Sequence, residues 1–319
     1  MTGVDLATGL RYFGAKEMEA LTPTPQRSCE LAAQALRWLA SGEIEVPPKF
    51  GVHPHDFNVH AMPAYCKPLD VIAVKWVADF PLNRAKGVPT VSAMIILNDG
   101  QTGIPYAIMD GNWLTGVRTA AMTAVSLAAC SHGASTMALI GTGLQARTHL
   151  SMIPIALPSL HTVRVVGRTL DAAQKFVASN PVVSSRLRVE AFGDMAEALH
   201  EADIVVTVTN EINNPVLDPK MLHSGATVAL VDNPAKEYAT LRLADRIIVD
   251  DRAPFETPEG HARFKRGLPR INSVIGHVLL GSERGRTEPD QLVVIANLGN
   301  AALDVVFAHE IYKKATVSS

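Results

Sequence analysis

Two cations and one glycine loop carry most of the chemistry legible in this 319-residue chain. Lys75 stands inside the apolar run "VIAVKWV" (71–77). An unpaired ammonium is costly to bury there, so it requires an anion, either a protein carboxylate or a ligand. Arg118 interrupts "GNWLTGVRTAAMTAVSLAAC" (111–130), an otherwise small and apolar stretch. With Thr115 as cap, a helix starting at Gly116 puts Arg118 in the first turn. The helix dipole disfavours a cation there by about 0.3–1 kcal/mol. A bound carboxylate or phosphate reverses that penalty, because helix N-termini attract anions. Lys49, in "PPKFGVHP", is a third cation, although a loop lysine is equally well served by solvent.

Gly141-Thr142-Gly143-Leu144-Gln145-Ala146 follows an apolar run and opens a helical one. This is G-x-G-x-x-A: a first glycine for the tight turn, a second for close approach of a pyrophosphate, and a small residue for helix–strand packing. A dinucleotide is therefore expected, and with it buried cations point to a substrate bearing a carboxylate. The next strand ends "RVVGRT", with Gly167, Arg168 and Thr169 where an NAD site places an acid. Arg168 can pair with a 2′-phosphate and Thr169 can add a hydroxyl, which favours NADP(H) and leaves NAD(H) as the other possibility. An exposed structural arginine is the alternative reading of Arg168. Asp232 closes "ATVALVD" at the kind of strand end where ligands bind, as a general acid/base or as a turn aspartate. His53, His55 and His60 cluster in "GVHPHDFNVH" without the carboxylate or cysteine spacing of a metal site, so no metal is expected.

These residues need a scaffold, and the patterning supplies one. Thr24-Pro25 starts a helix ending near Ser41-Gly42, with Leu31, Ala35, Leu36 and Leu39 at helical spacing. Val71–Phe80 and Thr90–Asp99 read as strands, the second folding back into "IPYAIMDG" as a hairpin. From Ser135 to Asp251, short apolar runs without strict alternation are separated by helical segments. That is the signature of a doubly wound α/β domain with a parallel sheet. The last segment, "NAALDVVFAHEIYKKA", reads as an amphipathic helix (Leu303, Val306, Phe307, Ile311) packing back on the first domain.

Bulk properties narrow the partners. A net charge of −2 offers nothing to nucleic acid or to an anionic membrane, while 47% hydrophobic and 19% charged residues describe a well-packed globular chain. Cys29, Cys66 and Cys130 are scattered, as in reduced cytoplasmic proteins. The opening "MTGVDLATGLRYFG" lacks the basic and apolar regions of a signal peptide, and no run reaches the roughly 18 apolar residues of a membrane span. A soluble, cytoplasmic protein is expected.

"MPAY" (62–65), "VKWVADFPLN" (74–83), "ILNDGQTGIPYAIMDGNWLTGVRTAA" (96–121), "LIGTGLQA", "ADIVVTVT", "GRTEPDQLVV" (285–294) and "NLGNAALD" (297–304) together resemble the ornithine cyclodeaminase/mu-crystallin family over nearly the whole chain. The resemblance implies a Rossmann-type domain (115–291) and an α+β substrate-binding and dimerisation domain built from both termini (1–114, completed by 292–319). It implies a homodimer and a small amino or imino acid as substrate. Lys75 and Arg118 would hold the substrate carboxylate, Lys49 stands near the place of a further family arginine, and Met62 and His60 would line the substrate. The nucleotide site would extend to Thr119, Thr207, Val208, Thr209, Val231, Asn297 and Gly299. "VDNPAK" (231–236) resembles the segment whose aspartate activates the attacking group in cyclodeaminases, which assigns Asp232 to proton transfer. Cyclodeaminases, however, carry a glutamate where this chain has His60. The expectation is an NAD(P)(H)-dependent imine reductase or amino-acid dehydrogenase. The alternatives are an ornithine or lysine cyclodeaminase releasing ammonia to form proline or pipecolate, and a non-catalytic NADPH-binding crystallin-like protein.

Overall fold

Strand β1 (Arg11–Phe13) and helix α1 (Ala15–Leu21) lead into α2 (Pro25–Ala40). The last of these begins where its sequence requires: Thr24 Oγ1 accepts the Arg27 amide at 3.3 Å, and Pro25 has no amide to leave unpaired. The computed structural model describes residues 9–180, 187–209, 211 and 214–317, so the start of the "MTGVDLATGLRYFG" segment lies outside the described residues. By its contacts the chain divides into two units, Met1–Arg118 with Asn300–Ser319, and Thr119–Gly299.

The first unit is built on a sheet of β2 (Ile44–Glu45), β3 (Phe50–Val52), β4 (Asn58–Cys66), β5 (Val71–Asp79), β6 (Val91–Asp99) and β7 (Pro105–Asp110), with β1 added in parallel to β7. The remaining pairings are antiparallel, and β6–β7 is the expected hairpin. Alternation sorts the side chains. Val71, Ala73 and Lys75 of β5, with Met62, Ala64 and Cys66 of β4 and Ile95 and Leu97 of β6, are buried on one face. The C-terminal helix (Ala301–Val317) packs on β4, β5, β6 and α2. It is not amphipathic in its first two turns as expected: Ala301 through Ala308 are all buried, because sheet and helices enclose it. On the opposite face of the sheet, among the described residues, Trp76 is 50% and Phe50 65% exposed beside Met94 and Val52.

Helix α3 (Asn112–Cys130) contributes its first seven residues to the first unit and the rest to the second. The second unit follows as β8 (Thr136–Ile140), α4 (Leu144–Ala156), β9 (Thr162–Val166), α5 (Leu170–Ser179), β10 (Arg188–Phe192), β11 (Ile204–Thr207), β12 (Thr227–Leu230), β13 (Arg246–Val249), β14 (Ser273–Val274) and β15 (Val293–Ala296). All eight strands are parallel, in the order β10-β9-β8-β11-β12-β15-β13-β14. The chain reverses direction of winding between β8 and β11, the switch point at which doubly wound sheets bind ligands. Reading the sequence did not anticipate β10 or β15. The latter sits between β12 and β13, so the second unit runs to Gly299, beyond the expected boundary at 291/292, and the first boundary falls at 118/119 instead of 114/115.

Candidate active site

Helix α3 begins four residues earlier than its sequence suggested. Asp110 Oδ1 accepts the Asn112 amide at 3.0 Å and so starts the helix, while Thr115, assigned above as the cap, lies inside and donates to Gly111 O at 2.6 Å. Arg118 is therefore in the second turn, where the dipole penalty has largely faded. What matters for it is burial. Arg118 Nε lies 3.0 Å from Asp304 Oδ1, and Lys75 Nζ lies 2.8 Å from Asp304 Oδ2. Only the arginine contact has hydrogen-bond alignment; the lysine contact is one of charge and proximity.

Both cations and the carboxylate are almost wholly buried. Burial would raise the Asp304 carboxyl, yet the adjacent Arg118 and Lys75 hold it below the ordinary carboxylate range. Lys75 is pushed down to about 8, first by burial and then by the charges of Arg118 and, more weakly, Lys49, against the opposing pull of Asp304. One carboxylate thus serves two buried cations. Arg118 spends only Nε on it, and its two terminal nitrogens have no hydrogen-bond partner among the described residues. A planar guanidinium with a free edge beside an ammonium is suited to a bidentate carboxylate. Neighbouring positions share the face: Met62 pairs with Lys75 across β4–β5, His60 with Val77, and the imidazoles of His60 and His53 meet edge-on at 6.1 Å.

The expected nucleotide residues gather at the carboxyl ends of β8, β9, β11, β12 and β15, with Thr119 on α3. Gly141 has φ +134°, and a Cβ there would collide with the Val208 carbonyl, so the turn after β8 admits no side chain. A Cβ on Gly143, by contrast, would meet nothing within 4 Å. The protein itself does not demand glycine at 143; close approach of a ligand would. Gly143 precedes α4 without any side-chain cap, leaving the amides of Leu144, Gln145 and Ala146 for an anion. Buried acceptors without hydrogen-bond partners among the described residues complete the cradle: Gln145 Oε1, and Asn297 Oδ1 just after β15, ahead of Gly299 at φ +73°. These features fit a dinucleotide. Beyond β9, Gly167 packs tightly under Thr142, Thr169 Oγ1 accepts the Ala172 amide to cap α5, and Arg168 is exposed with no hydrogen-bond or ion-pair partner among the described residues.

Asp232 accepts from four donors: Thr207 Oγ1 (3.0 Å), the Thr209 amide (3.2 Å), Thr209 Oγ1 (2.7 Å) and Lys236 Nζ (2.8 Å). It ties the ends of β11 and β12 together, and Val231 adds a backbone bond to Thr207 O at 3.1 Å. Sequence reading missed two residues here. Asp304 was visible only as one acid in an apolar helix, and the buried cations called for such a partner without saying where it lay. Lys236 was detectable as the i+4 neighbour of Asp232.

A family model described as ornithine cyclodeaminase/mu-crystallin family matches residues 15–319. The chain is 30% identical over 275 residues to a Δ1-pyrroline-2-carboxylate reductase of Bacillus thuringiensis subsp. konkukian, covering 81% of each chain. Among solved structures, an archaeal alanine dehydrogenase dimer with bound NAD superposes with a TM-score of 0.84 at 25% identity, covering 96% of each chain. Δ1-Pyrroline-2-carboxylate reductase of Thermococcus litoralis, in complex with NADH and L-proline, has the same fold at a TM-score of 0.85 and 24% identity, covering 96% of this chain and 98% of that one.

Removing the shared carboxylate tests the cluster directly. Asp304→Asn leaves two buried cations without their anion and should destabilise the protein by about 3–5 kcal/mol. Chemical denaturation at pH 7 measures it; a loss below about 1 kcal/mol would mean that the cations are not held as described.

Proposed function

Because the chain belongs to the ornithine cyclodeaminase/mu-crystallin family, we propose that it is a nicotinamide-dependent enzyme exchanging hydride with the α-carbon of an α-amino or α-imino acid, as an imine reductase or amino-acid dehydrogenase. The observation that carries this reading is the cation excess around Asp304, with the terminal nitrogens of Arg118 unspent. Such an arrangement is expensive to bury without a ligand, and a substrate carboxylate completes it.

Lys75 and Arg118 hold that carboxylate and so fix the α-carbon; Met62 and His60 line the rest of the substrate. The nucleotide lies in the cradle of Gly141–Ala146, Gly167, Arg168, Thr169, Thr207, Val208, Thr209, Val231, Asn297 and Gly299, with Thr119 beside it. Bound there, the nicotinamide supplies or takes up hydride at C4. In the reductive direction the imine carbon gains that hydride and the nitrogen a proton, giving amine and oxidised nucleotide. Asp232 donates or accepts the proton, and the Lys236 ammonium at 2.8 Å keeps its carboxylate oriented.

NADP(H) is the preferred nucleotide in this reading, supported by an exposed Arg168, without a partner among the described residues, where an acid would repel the 2′-phosphate. The free, buried thiols of Cys29, Cys66 and Cys130, all pushed well above the ordinary range by burial, support a reducing compartment such as the cytoplasm. The exposed apolar face around Trp76, Met94, Phe50 and Val52 is larger than scattered surface residues require, and pairing of two copies through it makes a homodimer.

Arg118→Ala should raise the KM for the amino or imino acid strongly while changing the Kd for the nucleotide little; nucleotide binding lost alone would reverse the assignment. Lys75 gives up its proton as pH rises through about 8, so kcat/KM for a carboxylate substrate should fall above that pH. A flat profile from pH 7 to 9 speaks against an ammonium anchor. Catalytic efficiency should be higher with NADPH than with NADH, and Arg168→Ala should narrow the difference; a clear NADH preference in the unaltered protein refutes the role of Arg168. For assembly, Trp76→Glu should shift the sedimentation of a dimer to that of a monomer, and an unchanged dimer would place the interface elsewhere.

A further inference from the structure

The amides of Leu144, Gln145 and Ala146 open α4, and none of them has a protein acceptor among the described residues. Resonance joins each amide to the carbonyl of the preceding residue in one planar unit. The Leu144 carbonyl is thus the far end of the Gln145 amide, and the Gln145 carbonyl the far end of the Ala146 amide. An α-helical carbonyl ordinarily receives one backbone amide, from four residues further on. These two receive more. Thr148 Oγ1 shares its proton between Leu144 O at 3.2 Å and Gln145 O at 3.1 Å, and His149 Nδ1 lies 2.7 Å from Gln145 O.

The acceptor assigns the imidazole proton. A carbonyl oxygen can only accept, so Nδ1 carries the hydrogen and donates it. Burial, against the opposing bond to Gln145 O, pushes His149 down to about 4, so the ring is neutral at neutral pH and Nε2 is an acceptor. Thr123 Oγ1 on α3 donates to it across 3.1 Å; the alternative acceptor for that hydroxyl is Thr119 O, also at 3.1 Å. Thr148 and His149 are both fully enclosed, with their polar atoms spent inside the protein. Neither offers a group to a ligand directly, and packing alone would be served by apolar side chains that need no partners.

Linked hydrogen bonds polarise one another, each gaining roughly 10–30% in strength. Donors on the Leu144 and Gln145 oxygens draw electron density toward them and leave the N–H at the other end of each peptide more positive. We propose that Thr148 and His149 are positioning residues of the nucleotide site: acting through those two carbonyls, they fix the first turn of α4 and strengthen the amides of Gln145 and Ala146 as donors to the pyrophosphate. This inference rests on the nucleotide cradle given above.

Titration of the full-length protein with NADPH and with NADH, followed by protein fluorescence, gives the Kd, and phosphorus NMR reads the pyrophosphate of the bound nucleotide. His149→Phe keeps a buried ring but gives Gln145 O no donor; it should raise the Kd at least about threefold and shift the pyrophosphate resonances. His149→Asn, whose Nδ2 stands where Nδ1 does, should recover most of the affinity. Thr148→Val keeps the side-chain shape without the hydroxyl and should raise the Kd in the same direction, so the inference stays open to test if His149→Phe does not fold. Circular dichroism identifies the folded variants. A folded His149→Phe or Thr148→Val with unchanged Kd and unchanged phosphorus resonances overturns the inference and leaves the nucleotide reading standing. A folded His149→Asn that binds as weakly as His149→Phe also overturns it, because the donor would then not be what matters. Binding of neither nucleotide by the unaltered protein overturns the nucleotide reading and this inference together.

Discussion

A single buried carboxylate between two buried cations organises the first unit. Lys75 comes from the middle of a sheet, Arg118 from a helix that follows it, and Asp304 from a helix 186 residues further along the chain than Arg118. Each charge alone would be intolerable at that depth, because the desolvation cost exceeds what any apolar contact returns. The C-terminal helix must therefore come back to the sheet with Asp304 facing it, and the apolar residues around that acid are selected for the same enclosure. Each cation has one oxygen of that carboxylate, but its single negative charge balances only one of the two positive ones. Stability alone does not call for this imbalance, since well-packed apolar residues of similar volume would serve it as well or better.

The second unit solves a different problem. The glycine loop, its uncapped amides and the short polar side chains at its strand ends are held by the rigidity of an all-parallel sheet buried on both faces. Gly141 is glycine because the Val208 carbonyl forbids a side chain, whereas Gly143 is glycine though nothing in the protein forbids one. The contrast separates a glycine that the fold requires from one that the fold does not. Asp232 and Lys236 then lock the loops after β11 and β12 to each other, so that the groups along this edge keep a fixed spacing.

Much of this was legible in the sequence. The glycine loop, its flanking strand and helix, the arginine after the second strand and the cations at 75 and 118 were all visible, because local chemistry reveals them: a φ that only glycine adopts, a charge in an apolar run. Less legible were the helix start at Asn112, which depends on an aspartate accepting an amide across a turn, and β15, whose short apolar run looks like any other until its two partners are known.

The sequence by itself determined that Lys75 needed an anion and that a glycine loop of G-x-G-x-x-A pattern followed Arg118, since burial cost and backbone sterics act residue by residue. Only the tertiary structure decided which anion. Asp304 is distant in sequence from both cations, and nothing local in "NAALDVVF" distinguishes a buried acid paired with a strand lysine from one exposed on a helix surface. Likewise the placement of Met62 beside Lys75, with His60 two residues along the same face, follows from strand register, which pairing across the sheet sets and which the residues of one strand cannot specify alone.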